Sequence, residues 1–331
     1  MGTMDEKESL RIKKGLKAKS KNIKGQQPII PKVERTLVED ELTVDRFVRD
    51  TNKGNNKIYI VNHHNAPNTM QEIGRLREVS FRHAGGGTGL AIDIDELDTC
   101  ERCYEQLIVY NPVDREIIGG YRFITGKRAF NEKTGEFGLS TAHYFDFSDK
   151  LKKEYLPYAI ELGRSWVQPN YQPANNPRKG VFALMNIWDG LGTLVLNYPE
   201  TKYFFGKITM YNNYNKEARD ILLSFMAHYF PHRPDLCQPK PHLFSGFDNT
   251  LFTKHFGENT PYSKGFKLLH KLLKERGEWI PPLINIYMNL SSTMVTFGTA
   301  RNQDFGDVEE TGLLVTIADI HQEIKDRHIS Y

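Results

Sequence analysis

Glu161 and Arg164 stand three residues apart in an apolar run, Pro157–Val167, that also carries Gly163, Ser165 and Trp166. A carboxylate in apolar surroundings can take a proton, and a guanidinium can hold a planar anion with paired N–H donors. In a regular strand, positions i and i+3 point to opposite faces. Gly163 between the two permits a β-bulge, which re-aims both side chains. The plain alternative for the pair is a structural salt bridge. Upstream, Arg77 and Phe81 lie i, i+4 on one helical face, and Asp93, Asp95 and Asp98 follow as an acidic cluster. Gly120-Tyr121-Arg122-Phe123 closes a strand. Arg77 and Arg122 suit an anion clamp or a structural pairing. The three Asp residues suit pairing with such Arg residues, which would order the Gly-rich loop before them, or a solvated acidic loop.

Several other matches fail on context. His83–Gly89 is Gly-rich but follows a helix and does not fit G-x-G-x-x-G, which argues against a dinucleotide site. There is no G-x-x-x-x-G-K-[ST] and no G-x-S-x-G. Asp93, Asp95 and Asp98 begin like a calcium loop, but the sixth position is Asp98 rather than Gly and the twelfth is Tyr104 rather than Glu. His321 and Asp326 form an H-x-x-x-x-D pattern inside a polar terminus, where chance accounts for it. Cys100 and Cys103 make one C-x-x-C and Cys237 stands alone, too few for a disulfide framework or an unaided zinc site. The expectation is reduced thiols and no metal.

The elements that must position these residues can be read from periodicity. Lys57–Asn62 is a β-rich run, and Asn68 can cap a helix with Gln71 at the capping-box position. Ile73, Leu76 and Val79 keep helical spacing until glycines 85, 86, 87 and 89 end it. Gln106–Tyr110 and Glu116–Ile124 form a hairpin across Asn111–Arg115, and Pro157–Val167 is the next strand. A helix over Gly180–Leu196, a strand over Tyr203–Tyr211 and a helix capped by Asn215 follow. Residues 231–290 begin Pro-rich, then carry a basic amphipathic helix, Lys264–Arg276, and an apolar helix after Pro281-Pro282. Thr293–Thr299 and Thr311–Ile317 pair at the end of the sheet. This order is mixed α/β and not a regular doubly wound alternation.

Composition sets outer bounds. The chain of 331 residues is 39% hydrophobic and 11% aromatic, enough for a large core and an apolar ligand site. Residues 1–35 hold ten Lys/Arg and four Asp/Glu, a net +6 within a chain of +3, so the remainder is −3. The expectation is a basic disordered tail over 1–35 and one domain over 36–331, with an insert at about 231–290. A basic arm attracts anionic lipid or an acidic protein, or has no specific partner. No signal peptide is visible, and no run of eighteen apolar residues exists to span a membrane.

Taken in order, Arg-x-x-x-Phe, the Asp cluster, G-x-R-[LF] and E-x-x-R resemble the acyl-homoserine-lactone synthase branch of the GNAT superfamily. Glu161–Val167 (E-L-G-R-S-W-V) and the later Ile280-Pro281-Pro282-Leu283 run with Tyr287, followed by a strand pair, are closer still to the N-acyltransferases of ornithine-lipid and glycine-lipid synthesis. The likeness spans roughly residues 57–318. One departure is Tyr104–Val109 (Y-E-Q-L-I-V), where related enzymes carry C-D-H-L-L-V, so the His is missing.

The resemblance implies a GNAT fold: a mixed, mostly antiparallel sheet flanked by helices, with a helical insert before the last two strands. It also implies a bulged fourth strand splayed from the fifth, with the pantetheine arm in the gap and bulge N–H groups on the thioester oxygen. The implied reaction passes a fatty acyl chain from acyl carrier protein to the amino group of an amino acid, glycine first and ornithine second. No resident cofactor is implied beyond the carrier's phosphopantetheine. Glu161 is the expected base, Glu105 on a neighbouring strand the second choice, and Arg77, Arg122 and Arg164 the candidate clamps for the acceptor carboxylate. Phe81, Asp93, Asp95, Asp98, Gly163, Ser165 and Trp166 complete the expected substrate site. Trp166, Phe182, Met185, Trp188, Phe204 and Phe205 suit an acyl tunnel or plain core. Relatives that use coenzyme A usually carry Q/R-x-x-G-x-G/A after the fourth strand. Here Asn176–Ala183 keeps Gly180 but places Phe182 at the second small position, and it offers Arg178 and Lys179 to an acidic carrier. Competing readings are a signal synthase using S-adenosylmethionine and a non-catalytic membrane- or carrier-binding module. The expected setting is cytoplasmic, with peripheral contact at the inner membrane face and no nucleic-acid partner.

Overall fold

The computed structural model describes residues 25–180 and 182–329. Its frame is an eight-stranded sheet. In chain order the strands are β1 (Phe47–Asp50), β2 (Lys57–Val61), β3 (Glu105–Asn111), β4 (Glu116–Thr125), β5 (Ala159–Val167), β6 (Tyr203–Met210), β7 (Val295–Asn302) and β8 (Val308–Thr316). Their spatial order is β1-β2-β3-β4-β5-β6-β8-β7. Every neighbouring pair is antiparallel except β5 and β6. The α/β class, the hairpin of β3 and β4 and the terminal pair β7 and β8 agree with the sequence reading. β1 was not foreseen. It is four residues long, with none of them buried, so it has no apolar alternation to betray it.

Alternation along the strands sorts side chains onto two faces. Ile160 and Leu162 of β5, Ile208 of β6 and Leu313 of β8 join one core with α4 (Ala183–Asn197) and α5 (Lys216–Tyr229). Ala159, Phe205 and Leu314 face the other way, onto a core with Tyr104, Phe145 and Phe297. The helix α2 (Pro67–Ala84), followed in the chain by the one-turn α3 (Glu96–Thr99), covers that second face over β2 and β3, through Met70, Ile73, Tyr59 and Ile108. The insert lies outside α5: α6 (Thr250–Phe256) and α7 (Tyr262–Glu275) pack on it through Phe225, Phe256 and Tyr262, while α8 (Pro282–Met288) sets Tyr287 edge-on against Trp188 of α4. It is not wholly helical, because Cys237–Pro239 pairs antiparallel with Phe145–Phe147. Among the described residues, no helix is long and apolar enough to cross a membrane.

Two local expectations are corrected. The capping box at Asn68 does not form: α2 starts at Pro67 after Ala66. Its free N–H groups are met from outside by Glu41 of α1 (Arg35–Glu41), which accepts from Asn68 N at 3.0 Å and Thr69 N at 2.7 Å. A carboxylate 27 residues away answers the same unpaired donors as a local cap. Residues 25–34 are not a free tail. Gln27 N–H donates to Gly89 O at 2.8 Å and Ile30 N–H to Ala91 O at 3.0 Å, so this segment lies along the Gly-rich loop. Most of the basic tail, residues 1–24, falls outside the described residues.

Candidate active site

The sheet forks between its two parallel strands. β5 and β6 pair from Ala159–Tyr203 to Leu162–Gly206 and then part. Beyond that point β5 follows β4 and β6 follows β8. Gly206 makes the close approach possible, since a Cβ there would lie 2.4 Å from Leu162 O. The second half of the fork is a bulge on β5. Gly120 pairs with Trp166 and Arg122 with Gly163, so Tyr121 alone faces Arg164 and Ser165. The expected bulge is present, but it falls one residue past Gly163. Arg164 itself takes φ +47°. That left-handed turn is uncommon for a non-glycine residue, and it redirects the Arg164 side chain.

The parted strands enclose a cavity of about 550 Å³. Leu162, Trp166 and Ala183 give it apolar walls, closed by Pro281–Leu283 and Tyr287 from the insert. Arg164, Lys207 and Glu310 supply its charges. A second cavity of about 680 Å³ lies beside it, lined by Gly87–Leu90, Asp93, Asp95, His143, Tyr144 and Asp304 among others. Arg164 lines both. Its guanidinium stacks 4.2 Å from the centre of the Phe305 ring and holds Asp93 at 3.0 Å, with its side chain 13% exposed. Phe81 braces Phe305 edge-on at 4.9 Å.

The other two arginines are consumed internally. Arg77 is fully buried, with Asp93 at 3.1 Å and Asp98 at 3.2 Å. Arg122 is buried with Asp95 at 2.7 Å and Asp98 at 3.2 Å, and donates to Ser140 Oγ at 3.3 Å. Burial alone would push the Asp98 carboxyl up, but Arg77 and Arg122 outweigh it and hold the group well below the carboxylate range. The Asp cluster is therefore a structural network, and only Arg164 of the three reaches open space. The Gly-rich loop is tied by a residue the sequence did not single out. Glu78 accepts from Thr88 N at 3.0 Å and Gly89 N at 2.8 Å while pairing with Arg82 at 2.6 Å.

Glu161 does not reach either cavity. Its buried carboxylate accepts from Ser140 N at 3.0 Å, Thr141 N at 2.8 Å and the Tyr104 hydroxyl. It faces the core side of Phe205 and anchors the turn before Phe145. Glu105 lines neither cavity either, and accepts from the Tyr198 hydroxyl at 3.1 Å. Both expected bases thus have structural partners. Of the expected tunnel residues, Trp166 lines the cavity. Trp188, Phe204 and Phe205 are core, and Met185 is exposed. Gly163 and Ser165 line the cavity. Gly180 does too, but its lack of a side chain serves the protein's own chain: a Cβ there would lie 2.4 Å from Pro173 N. Arg178 is exposed on a one-turn helix, and Lys179 pairs with Asp114 at 2.7 Å.

A mixed, mostly antiparallel sheet flanked by helices and forked beside a bulge is the GNAT fold. Residues 76–178 match the family described as acetyltransferase (GNAT) domain. The chain is 50% identical over 304 residues to a glycine N(alpha)-acyltransferase of Bacteroides thetaiotaomicron, covering 92% of this chain and 90% of that protein. It is 45% identical over 303 residues to a protein of the same name from Phocaeicola vulgatus, covering 92% and 93%. No solved structure gives a significant match. The chain belongs to the GNAT N-acyltransferase family and is an acyltransferase.

Proposed function

We propose that the protein joins a fatty acyl chain to the amino group of glycine, taking the chain from an acyl carrier protein, to make an N-acyl amino acid used in aminolipid synthesis. The observation that carries this reading is the junction of two unlike cavities at Arg164. The apolar cavity suits an acyl chain with its thioester in the fork. The polar cavity suits a small charged acceptor. The bulge turns Arg164 toward that junction, where its planar guanidinium can clamp the acceptor's carboxylate. Backbone N–H groups of the parted strands can stabilise the oxyanion as the amine adds. The names of both relatives support glycine as the acceptor. Glu96 and Asp304, the carboxylates of this lining outside the Arg-paired network, favour an ammonium over an anionic acceptor.

Purified full-length protein with an acyl carrier thioester and a panel of amino acids tests this. N-acylglycine is the expected product. Product with ornithine and none with glycine would overturn the choice of acceptor. Arg164→Lys should raise KM for glycine about tenfold or more, since a lysine cannot replace a bidentate clamp, with KM for the donor little changed.

A further inference from the structure

Glu310 is the only carboxylate among the described residues that line the fork cavity, and that lining contains no His or Cys. It sits on β8, directly across from Thr209 of β6, and is 3% exposed. Its two oxygens have different surroundings. Oε1 accepts from Asn302 Nδ2 at 3.1 Å, and Asn302 Oδ1 accepts in turn from the Tyr144 hydroxyl at 2.9 Å. Tyr144 lines the polar cavity, so this chain runs from one cavity to the other. Oε2 has Lys207 Nζ at 3.2 Å but accepts no hydrogen bond. Lys207 donates instead to Ser140 Oγ at 3.0 Å.

A buried carboxylate oxygen without a hydrogen bond is destabilising, because nothing replaces the water bonds it gave up on burial. Such an atom calls for an explanation, and a site for an incoming donor is one. The neighbouring hydroxyls cannot serve as bases. Burial and then the charge of Glu310 push Tyr144 up to about 12, and they push Tyr211 upward as well. Alternation along β5, β6 and β8 puts Lys207 and Glu310 on the sheet face that carries Phe205 and Leu314, and Tyr144 packs on that same core. The apolar wall formed by Leu162 and Ala183 lies on the other face. A carboxylate placed there meets the amine as it approaches the thioester through the fork.

We propose that Glu310 is the proton acceptor of the reaction, with Asn302 and Lys207 as positioning residues. This rests on the amide-forming reading above. Glu310 Oε2 takes one proton from the acceptor ammonium and later releases it to solvent. The neutral nitrogen attacks the thioester carbon, forming C–N. As the oxyanion collapses, C–S breaks, and the nitrogen's second departing proton goes to the thiolate. The third stays on the amide.

The test compares glycine with hydroxylamine as acceptors, in wild type, Glu310→Gln and Glu161→Gln. Hydroxylamine is already uncharged at neutral pH and needs no base to become a nucleophile. For Glu310→Gln, kcat with glycine should fall about 10²- to 10⁴-fold at neutral pH, the range for loss of a general base. The deficit should shrink as pH rises and free glycine amine accumulates. Transfer to hydroxylamine should stay within a few-fold, and KM for the acyl donor should hold. Glu310→Asp keeps the charge beside Lys207 and should give an intermediate rate with glycine alone. Glycine transfer within a few-fold of wild type, or equal loss with both acceptors in Glu310→Gln and Glu310→Asp, would overturn the proposal. So would a folded Glu161→Gln that loses glycine transfer only and shows the same pH rescue. If wild type acylates a different amine, the choice of glycine fails while Glu310 is judged on that amine. A wild type that acylates no amine removes both readings.

Discussion

Asp98 shows how the site's charges divide between folding and chemistry. It accepts from Arg77, Arg122 and the Gln106 amide, and with Asp95 it closes a capping box over Glu96–Thr99. Removing one partner of such a buried network strands the others, which costs about 3–5 kcal/mol. Asp98→Asn should therefore lower the unfolding free energy by about that much, read by denaturant titration. The pH dependence has a defined sign. The folded carboxyl is depressed, so its contribution is whole above its unfolded value of ~3.9 and fades as pH falls toward the folded one. Wild type should lose stability steeply below about pH 4, and Asp98→Asn should flatten that limb. An unchanged slope would show that other carboxylates dominate acid unfolding. The residue types of this site were legible in the sequence: Arg77, Asp93, Asp98, Arg122 and Arg164 do converge. Their roles were not. Whether an arginine faces a cavity or an aspartate depends on pairing register, and a one-residue displacement of the bulge gave Arg164 the cavity and left Glu161 in the core. Lys207 carried a faint signal as the single charge in the apolar strand Tyr203–Met210, and Glu310 a weaker one as the second of two adjacent acids, Glu309 and Glu310, in Val308–Thr316. Only the fold brings them within 3.2 Å.

Strand pairing creates the fork, and Gly206 is where it can be broken. A parallel pair must hold β5 and β6 together as far as Leu162 and then release them, because β6 continues against β8 while β5 continues against β4. At the last paired position the β6 backbone passes so near Leu162 O that an added methyl would sit at 2.4 Å from a backbone atom that no rotamer change can move. Gly206→Ala should destabilise the protein by about 1–3 kcal/mol, the usual range for overpacking. It should also cut acyl transfer by more than this loss of folded population explains, since the fork must open earlier. A folded variant with wild-type kcat and KM for the donor would show that the fork tolerates a shift. Longer elements with clean periodicity were readable: the hairpin of β3 and β4, α4, α5 with its Asn215 cap, and the closing pair β7 and β8. The elements missed had no local signal. β1 is half-exposed, and the N-terminus of α2 is capped by Glu41 from another helix, which no window of adjacent residues can contain.

At the scale of the whole molecule, surface charge bears on which thioester the fork receives. α7 buries Gly265, Leu269, Leu272 and Leu273 and leaves Lys264, Lys267, Lys271 and Lys274 exposed. A few residues past its end, Pro281–Leu283 form part of the cavity wall. Exposed Arg178 lies two residues before Gly180, which lines that same cavity. A carrier protein is acidic around its phosphopantetheine serine, so a cationic rim raises encounter rates in a salt-dependent way. A pyrophosphate cradle needs free backbone N–H groups at a helix N-terminus. Here that segment is a single turn, Pro177–Gly180, whose Lys179 N–H is already taken by the Asn176 side chain at 3.2 Å. The same acyl chain on carrier protein should therefore give a higher kcat/KM than on coenzyme A. Raising salt from about 0.05 to 0.5 M should erode the carrier reaction much more than that of a minimal pantetheine thioester, as the screening length shortens from more than 10 Å toward a few Å. Arg178→Glu should slow the carrier reaction roughly tenfold or more, within the range of electrostatic steering, and barely touch the pantetheine thioester. Equal or better use of the coenzyme A thioester would reject the carrier as donor. Equal slowing of carrier and pantetheine substrates would move Arg178 from the docking surface into the chemistry of the fork.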